Sequence, residues 1–292
     1  MLKIEKVTTE DFERVYPQLQ KFNSAEVSKE DWRKLFVKYW ESPEDFCGYM
    51  LVKDGEVKGF LGLIFSRRIL DGEVHKFCNM TSWIVDADAR SHSIFLLLET
   101  LKLKGYTFTN FSASDTVGAV LSKLGFKGFE VNQWVLPPLP NLFLQGRGYT
   151  CQLDLGKIRL ELNENDRIIF DDHKNLGCEH VLLKERAGGY AYVILRKTQR
   201  RNIPLAKVQY VSNGEHFAKA FEKFIVKICL RIKALGVMGD DRYLGNYKLR
   251  KSIRYPHPRK AYFKPNPETL DVNRIDTLYS ELVVLYNPKA AQ

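Results

Sequence analysis

Trp83-Ile84-Val85, followed after a short turn by Arg90-Ser91-His92-Ser93-Ile94-Phe95, is the stretch on which the fold of this chain depends. Phe77 to Val85 reads as a strand, and a helix is expected from about Ile94 to Lys104, stopped by Gly105. Lys102 and Lys104 suit the negative end of that helix's dipole. The first amides of a helix have no internal partner, and the dipole adds partial positive charge there. A strand that hands over to a helix through small residues can therefore hold an anion on its backbone. The competing reading is a plain helix N-cap, with Ser91 or Ser93 closing the free amides and nothing bound.

Upstream, Tyr49 to Val52 reads as a strand, Asp54-Gly55 as a hairpin turn and Lys58 to Phe65 as the return strand, with Arg67-Arg68 in a basic loop beyond it. The second half gives the same order. His180 to Leu183 is a strand, Glu185 to Gly189 a turn and Tyr190 to Leu195 the return strand. A basic loop from Arg196-Lys197 to Arg200-Arg201, a strand from Leu205 to Val211 and a helix from Phe217 to Leu235 follow. Lys53 and Lys184, Lys76 and Lys207, and Gly105 and Gly236 are each 131 residues apart. A period this long marks duplicated domains, since solenoid repeats run to ~20–50 residues. The copies differ at one place. Nine residues separate Val85 from Phe95, whereas only Ser212 to His216 separate Val211 from Phe217. Helix replaces the anion-holding turn in the second copy, which is therefore expected to shape a pocket or a dimer surface instead. The tail from Tyr279 to Tyr286 reads as a closing strand.

The chain has 292 residues, 45% hydrophobic and 12% aromatic, which suits packed cores and argues against disorder. Two domains are expected: residues 1–136, a linker over 137–149 built on Pro137-Pro138-Leu139-Pro140 and Gly146-Arg147-Gly148, and residues 150–292. No signal-peptide pattern and no membrane-spanning run is visible. The five cysteines are odd in number, widely spaced and without a CxxC, so reduced thiols in the cytoplasm are expected. Residues 1–145 hold 18 Lys+Arg against 19 Asp+Glu, and the remainder 27 against 16, so the basic excess lies in the second half. Its densest patch runs from Arg242 to Lys264 and includes Arg250, Arg254 and Arg259. Tyrosines interleave with these charges, as in nucleic-acid binders, but no helix-turn-helix, zinc finger or RRM signature accompanies them. The patch serves equally as a solvated face or as a surface for an anionic partner.

The order hairpin, strand, turn, helix, strand, helix, Gly-Phe over residues 1–135 resembles the GNAT superfamily of acyl-CoA N-acyltransferases. The resemblance implies a mixed α+β fold of two tandem GNAT-like domains, the second degenerate. The family's Q/R-x-x-G-x-G/A signature falls on Arg90 to Phe95, with Ser93 and Phe95 at its glycine or alanine positions. By resemblance Arg90, Ser91, His92, Ser93 and Ile94 hold the CoA pyrophosphate, Ile84 and Val85 face the pantetheine, and Phe95 must point into the core. Lys123-Leu124-Gly125-Phe126 matches the family's later helix end. Ser114 stands at its Asn position, able to bond the cofactor, and Leu121 at the position of the Tyr that often protonates the leaving thiolate. Asp115 and Asn79 are the catalytic candidates, with Thr81 beside Asn79 on the fourth strand and His75 and His92 as further bases.

The activity implied is transfer of an acetyl or other acyl group from acyl-CoA to a primary amine of a small, anionic acceptor. The alternatives are a non-catalytic CoA- or protein-binding module, favoured by Leu121, and a basic nucleic-acid binder. Tandem units also resemble the Fem aminoacyltransferases, which are longer and carry a coiled-coil arm that is missing here.

Overall fold

The computed structural model describes residues 2–22, 27–130, 132–139, 147–200, 202–257 and 260–285. In chain order it contains β1 (Leu2–Val7), α1 (Phe12–Gln20), α2 (Lys29–Arg33), β2 (Gly48–Lys53), β3 (Glu56–Leu70), β4 (Glu73–Val85), α3 (Ser93–Leu101), β5 (Tyr106–Asn110), α4 (Asp115–Lys123) and β6 (Lys127–Phe129). There follow β7 (Asn132–Leu136), β8 (Tyr149–Gln152), α5 (Leu155–Glu161), α6 (Glu164–His173), β9 (Glu179–Glu185), β10 (Tyr190–Arg200), β11 (Ile203–Val211), α7 (Gly214–Ile232), β12 (Val237–Asp240), β13 (Ile253–Pro256), β14 (Ala261–Lys264) and α8 (Glu281–Val284). No helix among the described residues is long and apolar enough to cross a membrane.

The elements form two compact units. The first is Met1–Phe129 with Arg259–Arg274 and Tyr279–Ala290, and the second is Glu130–Pro258 with Ile275–Leu278. Each holds a seven-stranded mixed sheet. The first runs β1-β2-β3-β4-β5-β14-β6, and the second β13-β7-β12-β11-β10-β9-β8. The duplication is thus structural, with β2, β3, β4, α3 and β5 answering to β9, β10, β11, α7 and β12. Each sheet also takes one strand from the other half of the sequence. β14 lies between β5 and β6, and β7 between β12 and β13. The proline stretch after β7 is described only as far as residue 139, so Pro140 and Gly146 of the expected linker, like Arg259 of the basic patch, lie outside the described residues.

The first sheet is packed on both faces, as its near-continuous apolar strands require. Leu61, Leu63, Phe65, Cys78 and Met80 face Leu96 and Leu97 of α3 and Leu121 of α4. Phe60 and Ile64 face Phe12, Val15 and Leu19 of α1, Trp32 of α2 and Val284 of α8. Burying a side chain of this size stabilises by ~1.5–3 kcal/mol.

Four sequence expectations change. Arg67-Arg68 and Arg196–Arg200 are strand, because the β3–β4 and β10–β11 hairpins keep pairing to Leu70–Glu73 and Arg200–Ile203. Arg68 is not solvated, and its guanidinium lies 4.7 Å from the Phe77 ring centroid and 5.8 Å from that of Tyr279. The tail from Tyr279 is not a strand. Ser280 caps the short helix α8, its hydroxyl accepting from the Leu282 amide at 3.3 Å, and Tyr286 lies outside the described residues. The repeated glycines do not stop the helices. α3 ends at Leu101 and α7 at Ile232, where Lys233 takes the left-handed conformation, and Gly105 and Gly236 each lead into the next strand.

Candidate active site

β4 and β5 run parallel but share only a short ladder, from Lys76–Tyr106 to Asn79–Thr109. β5 ends one residue later, while β4 continues to Val85. The two strands part, and the β5-facing edge of β4 from Met80 to Val85 has no partner strand among the described residues. A bulge marks the same place. Between the pairs Gly62–Thr81 and Phe60–Ile84, two residues of β4 oppose one of β3, and Ser82 takes a positive φ of 51°. Such a conformation is costly outside glycine, and a bulge bends its strand and re-aims the side chains around it. Next to it, the indole Nε1–H of Trp83 is buried without a hydrogen-bond partner among the described residues. Ile84 and Val85 close this free run, still paired with Phe60 and Gly59 on the other edge.

After Val85 a 3-10 turn over Ala87–His92 leads straight into α3. Asp86, which opens it, is tied by Lys21 at 2.5 Å and by Gln18 at 3.3 Å. Neither expected cap forms. The N-cap of α3 is His92, which offers no side-chain bond, and Ser91 Oγ bonds to His92 Nδ1 at 3.2 Å instead. No side chain closes the opening amides of α3, and Arg90 lies exposed beside them. Phe95 does not enter the core. It is 46% exposed, next to His92, with ring centroids 6.0 Å apart. The inward positions of α3 belong to Leu96, Leu97 and Thr100, so Phe95 falls on the outer side and leaves the turn unplugged.

Ser114 is the N-cap of α4, its Oγ accepting from the Val117 amide at 3.3 Å. Asp115, the first residue of α4, is exposed. Leu121 is fully buried and can move no proton. His75 is half-buried on β4, well before the free run, with Glu73 at 4.0 Å.

Asn79, at the last β4–β5 pair, is buried in a polar cluster invisible in the sequence. Its Nδ2 donates to Glu281 Oε2 at 2.5 Å, and its Oδ1 accepts from the Thr109 hydroxyl at 3.1 Å. Ser112 Oγ donates to the other carboxylate oxygen of Glu281 at 2.5 Å, and Ser112 itself is exposed, so the cluster reaches the surface. Burial pushes the Glu281 carboxyl above its ordinary value, against the opposing pull of the Ser112 and Asn79 hydrogen bonds. Thr81 on β4 and Ser66 on the adjoining β3 are buried too, the Ser66 Oγ without a hydrogen-bond partner among the described residues. One helical turn beyond Glu281, Val284 lines a cleft with Tyr39, Trp40 and Ile64. A carboxylate with a raised pKa at a strand opening is equipped to accept a proton from a bound group. Glu281 stands 202 residues from Asn79 in sequence, and a single glutamate in an apolar tail gives no signal of that meeting.

The corresponding place in the second unit is closed. The β11–β12 ladder ends at Lys207–Met238 and β11 runs on to Val211. There the Tyr243 hydroxyl donates to the Gln209 carbonyl at 2.8 Å, and the Thr277 hydroxyl to the Gln209 side chain at 2.6 Å. α7 begins three residues after β11. Asn213 caps it by accepting from the His216 amide at 3.1 Å, and Gly214 lies so close to the Tyr243 carbonyl that a Cβ would stand 2.7 Å from it.

No family model and no curated protein matches the sequence. Solved structures do. A GCN5-related N-acetyltransferase from Anabaena variabilis is 12% identical, with a TM-score of 0.61 over 90% of this chain and 72% of that one. A GCN5-related N-acetyltransferase from Kribbella flavida is 13% identical, with a TM-score of 0.59 over 90% and 70%. A tandem GNAT protein from the clavulanic acid biosynthesis pathway is 14% identical, with a TM-score of 0.51 over 90% and 97%. At this identity the likeness is one of fold. The chain adopts the tandem GNAT fold, open at the strand parting in its first copy and filled in its second.

Proposed function

We propose that the chain is an acyl-CoA-dependent N-acyltransferase whose first unit carries the chemistry, moving an acetyl or other acyl group onto a primary amine of a small acceptor. The observation that carries this reading is the meeting of two features at the end of the β4–β5 ladder: a strand edge left unpaired and a buried carboxylate, Glu281. The start of α3, where no side chain caps the helix and the Ser93 amide turns back to the Arg90 carbonyl, offers the dipole's positive end with Ser91, Ser93 and Arg90 to the diphosphate of CoA. The free edge of β4 to Ile84 and Val85 offers donors and acceptors to the amides of the pantetheine arm, and the orphaned Trp83 N–H is a spare donor on that run.

Glu281, rather than the exposed Asp115, is the base in this reading. Asn79 and Ser112 hold it in place, and the cleft beside Val284 admits the amine. The carboxylate takes a proton as the amine nitrogen attacks the thioester carbon, the carbon–sulfur bond breaks, and amide and CoA leave. The basic excess of the second half suits an anionic acceptor. The second unit, its parting filled by Tyr243, binds no CoA.

Calorimetric titration with acetyl-CoA tests the reading. Arg90→Glu is expected to weaken binding by about tenfold, or ~1.4 kcal/mol. The difference should shrink at high salt, because Arg90 is exposed. Unchanged affinity removes Arg90 from the site, and absence of binding by the unaltered protein ends the reading. The buried Leu121 favours a second reading, a module that binds CoA without turnover. It predicts affinity for acetyl-CoA without thiol release against any amine.

A further inference from the structure

The cleft beside Val284 has walls that select among amines. It takes Leu35, Phe36, Tyr39 and Trp40 from the stretch after α2, Ile64 from β3 and Val284 from α8. Two links tie it to the candidate base. Ile64 pairs directly with Asn79, so the two side chains share one face of the sheet. Val284 lies three residues after Glu281 on α8, on the same side of one helical turn. A group seated in the cleft therefore borders the Asn79–Glu281 pair. The walls are rings held in place by the fold. Phe36 is buried, stacked on Phe60 at 5.8 Å and edge-on to Phe12 at 5.1 Å. Tyr39 and Trp40 are only half-buried, with ring centroids 6.1 Å apart. The Trp40 Nε1–H donates to the Phe65 carbonyl at 2.7 Å, and its ring meets Tyr279 edge-on at 4.8 Å. Its polar atom is engaged, and the indole contributes to the cleft as apolar surface. Charge does not select here. Lys34 holds Asp31 at 2.5 Å, and Lys38 and Asp45 of the lining are exposed and opposite in charge. Apart from Val284, the lining takes nothing from the basic second half of the chain. That excess can draw an anionic amine toward the protein at long range, but the rings decide the fit. The cleft measures about 470 Å³ out to its open mouth, room for a small molecule.

We propose that the acceptor is a primary amine carried on an aromatic ring, the ring seated against Tyr39 and Trp40 and the nitrogen reaching Glu281. Rings meet rings edge-on or offset, and such contacts add to the gain from burying apolar area. An amine of similar size that ends in a hydroxyl or a phosphonate loses water against these walls and gains no partner in return. This assignment names the substrate class of the acyltransferase reading and rests on it.

The test uses the full chain and measures thiol release from acetyl-CoA with phenethylamine, tryptamine, ethanolamine and aminoethylphosphonate, with acetyl-CoA affinity followed by calorimetry. In the wild type, kcat/KM for the two aromatic amines should exceed that for the two polar ones by roughly 10- to 100-fold. Tyr39→Ala should raise KM for phenethylamine by about tenfold with acetyl-CoA Kd unchanged, and Tyr39→Phe should keep the wild-type KM. Ethanolamine has no ring to lose contact with Tyr39, so its kcat/KM should be the same in all three proteins. Equal or greater kcat/KM for ethanolamine or aminoethylphosphonate in the wild type overturns this assignment and leaves the acyltransferase reading standing. That comparison decides whether or not Tyr39→Ala folds. An unchanged phenethylamine KM in a folded Tyr39→Ala overturns the assignment too, and so does an equal loss for every amine, which shows a packing role. Absence of acetyl-CoA binding by the wild type overturns both.

Discussion

Glu281→Gln should lower kcat for amine acylation by roughly 100- to 10,000-fold while leaving acetyl-CoA affinity unchanged. The substitution keeps the shape of the cluster. The amide oxygen can still accept from Asn79 Nδ2, and the amide nitrogen can donate to Ser112 Oγ, so the loss falls on proton acceptance alone. The pH profile of the unaltered protein should show the same group. Burial raises the Glu281 carboxyl above 4.5, so the acid limb of kcat should lie above the ordinary carboxylate range and vanish in the glutamine variant. Stability should move the opposite way. A carboxyl that binds its proton more tightly folded than unfolded contributes fully below the unfolded value of 4.5, and that contribution is lost as pH rises through the folded value. Near neutral pH, Glu281→Gln should therefore melt higher than wild type. A glutamine variant of normal kcat would return the base's role to another group.

Trp134→Ala should destabilise the protein by about 3–5 kcal/mol, read as a lower urea midpoint. Trp134 lies on β7 and is fully buried in the core of the second unit. Its ring is tilted against Phe217 at 6.0 Å and edge-on to Phe221 at 6.4 Å, and its Nε1–H donates to the Asp240 carbonyl at 3.2 Å. Gly239, paired opposite on β12, sits under the ring with no space for a Cβ. Removing the indole leaves a cavity that a paired strand cannot close and takes its hydrogen bond from the Asp240 carbonyl. The same topology predicts the fate of the halves. Residues 1–145 expressed alone lack β14 between β5 and β6, and residues 146–292 lack β7 between β12 and β13. Neither half should give a cooperative melting transition alone, whereas mixing the two should restore one. A half that melts cooperatively by itself would show that the supplied strand is dispensable.

Much of the fold was legible because its signals are local. The Asp54-Gly55 hairpin, the strand ending at Val85 and the helix start near Ser93 come from short-range alternation and turn chemistry, and the matched order of strands, turns and helix in the two halves carried the duplication. The errors share one cause. Arg67-Arg68 and Arg196–Arg200 look like loop by charge but are held in strand by pairing partners. The tail from Tyr279 looks like strand by apolarity but is folded into helix by the Ser280 cap and the packing of Val284. Phe95 was expected inside on the family pattern, but the helical phase set by Leu96, Leu97 and Thr100 puts it outside.

The candidate site divides in the same way. The turn from Arg90 to Ile94 could be found because its partners are its own backbone amides. Asn79 was visible as a strand residue but not as a partner of Glu281, and Glu281 gave no sign at all. By itself the sequence determined the repeated order of strands and helices and the loss of the turn in the second copy, since both depend on neighbours a few residues apart. Only the tertiary structure decided which strand completes which sheet, which carboxylate stands by the parting of β4 from β5 and which ring packs against Gly118. Those choices join residues some 140 to 200 positions apart: Gly118 to Tyr262 and Asn79 to Glu281. They are fixed by which buried surfaces and edge hydrogen bonds can be satisfied together, a condition on the whole packed unit that no local window expresses.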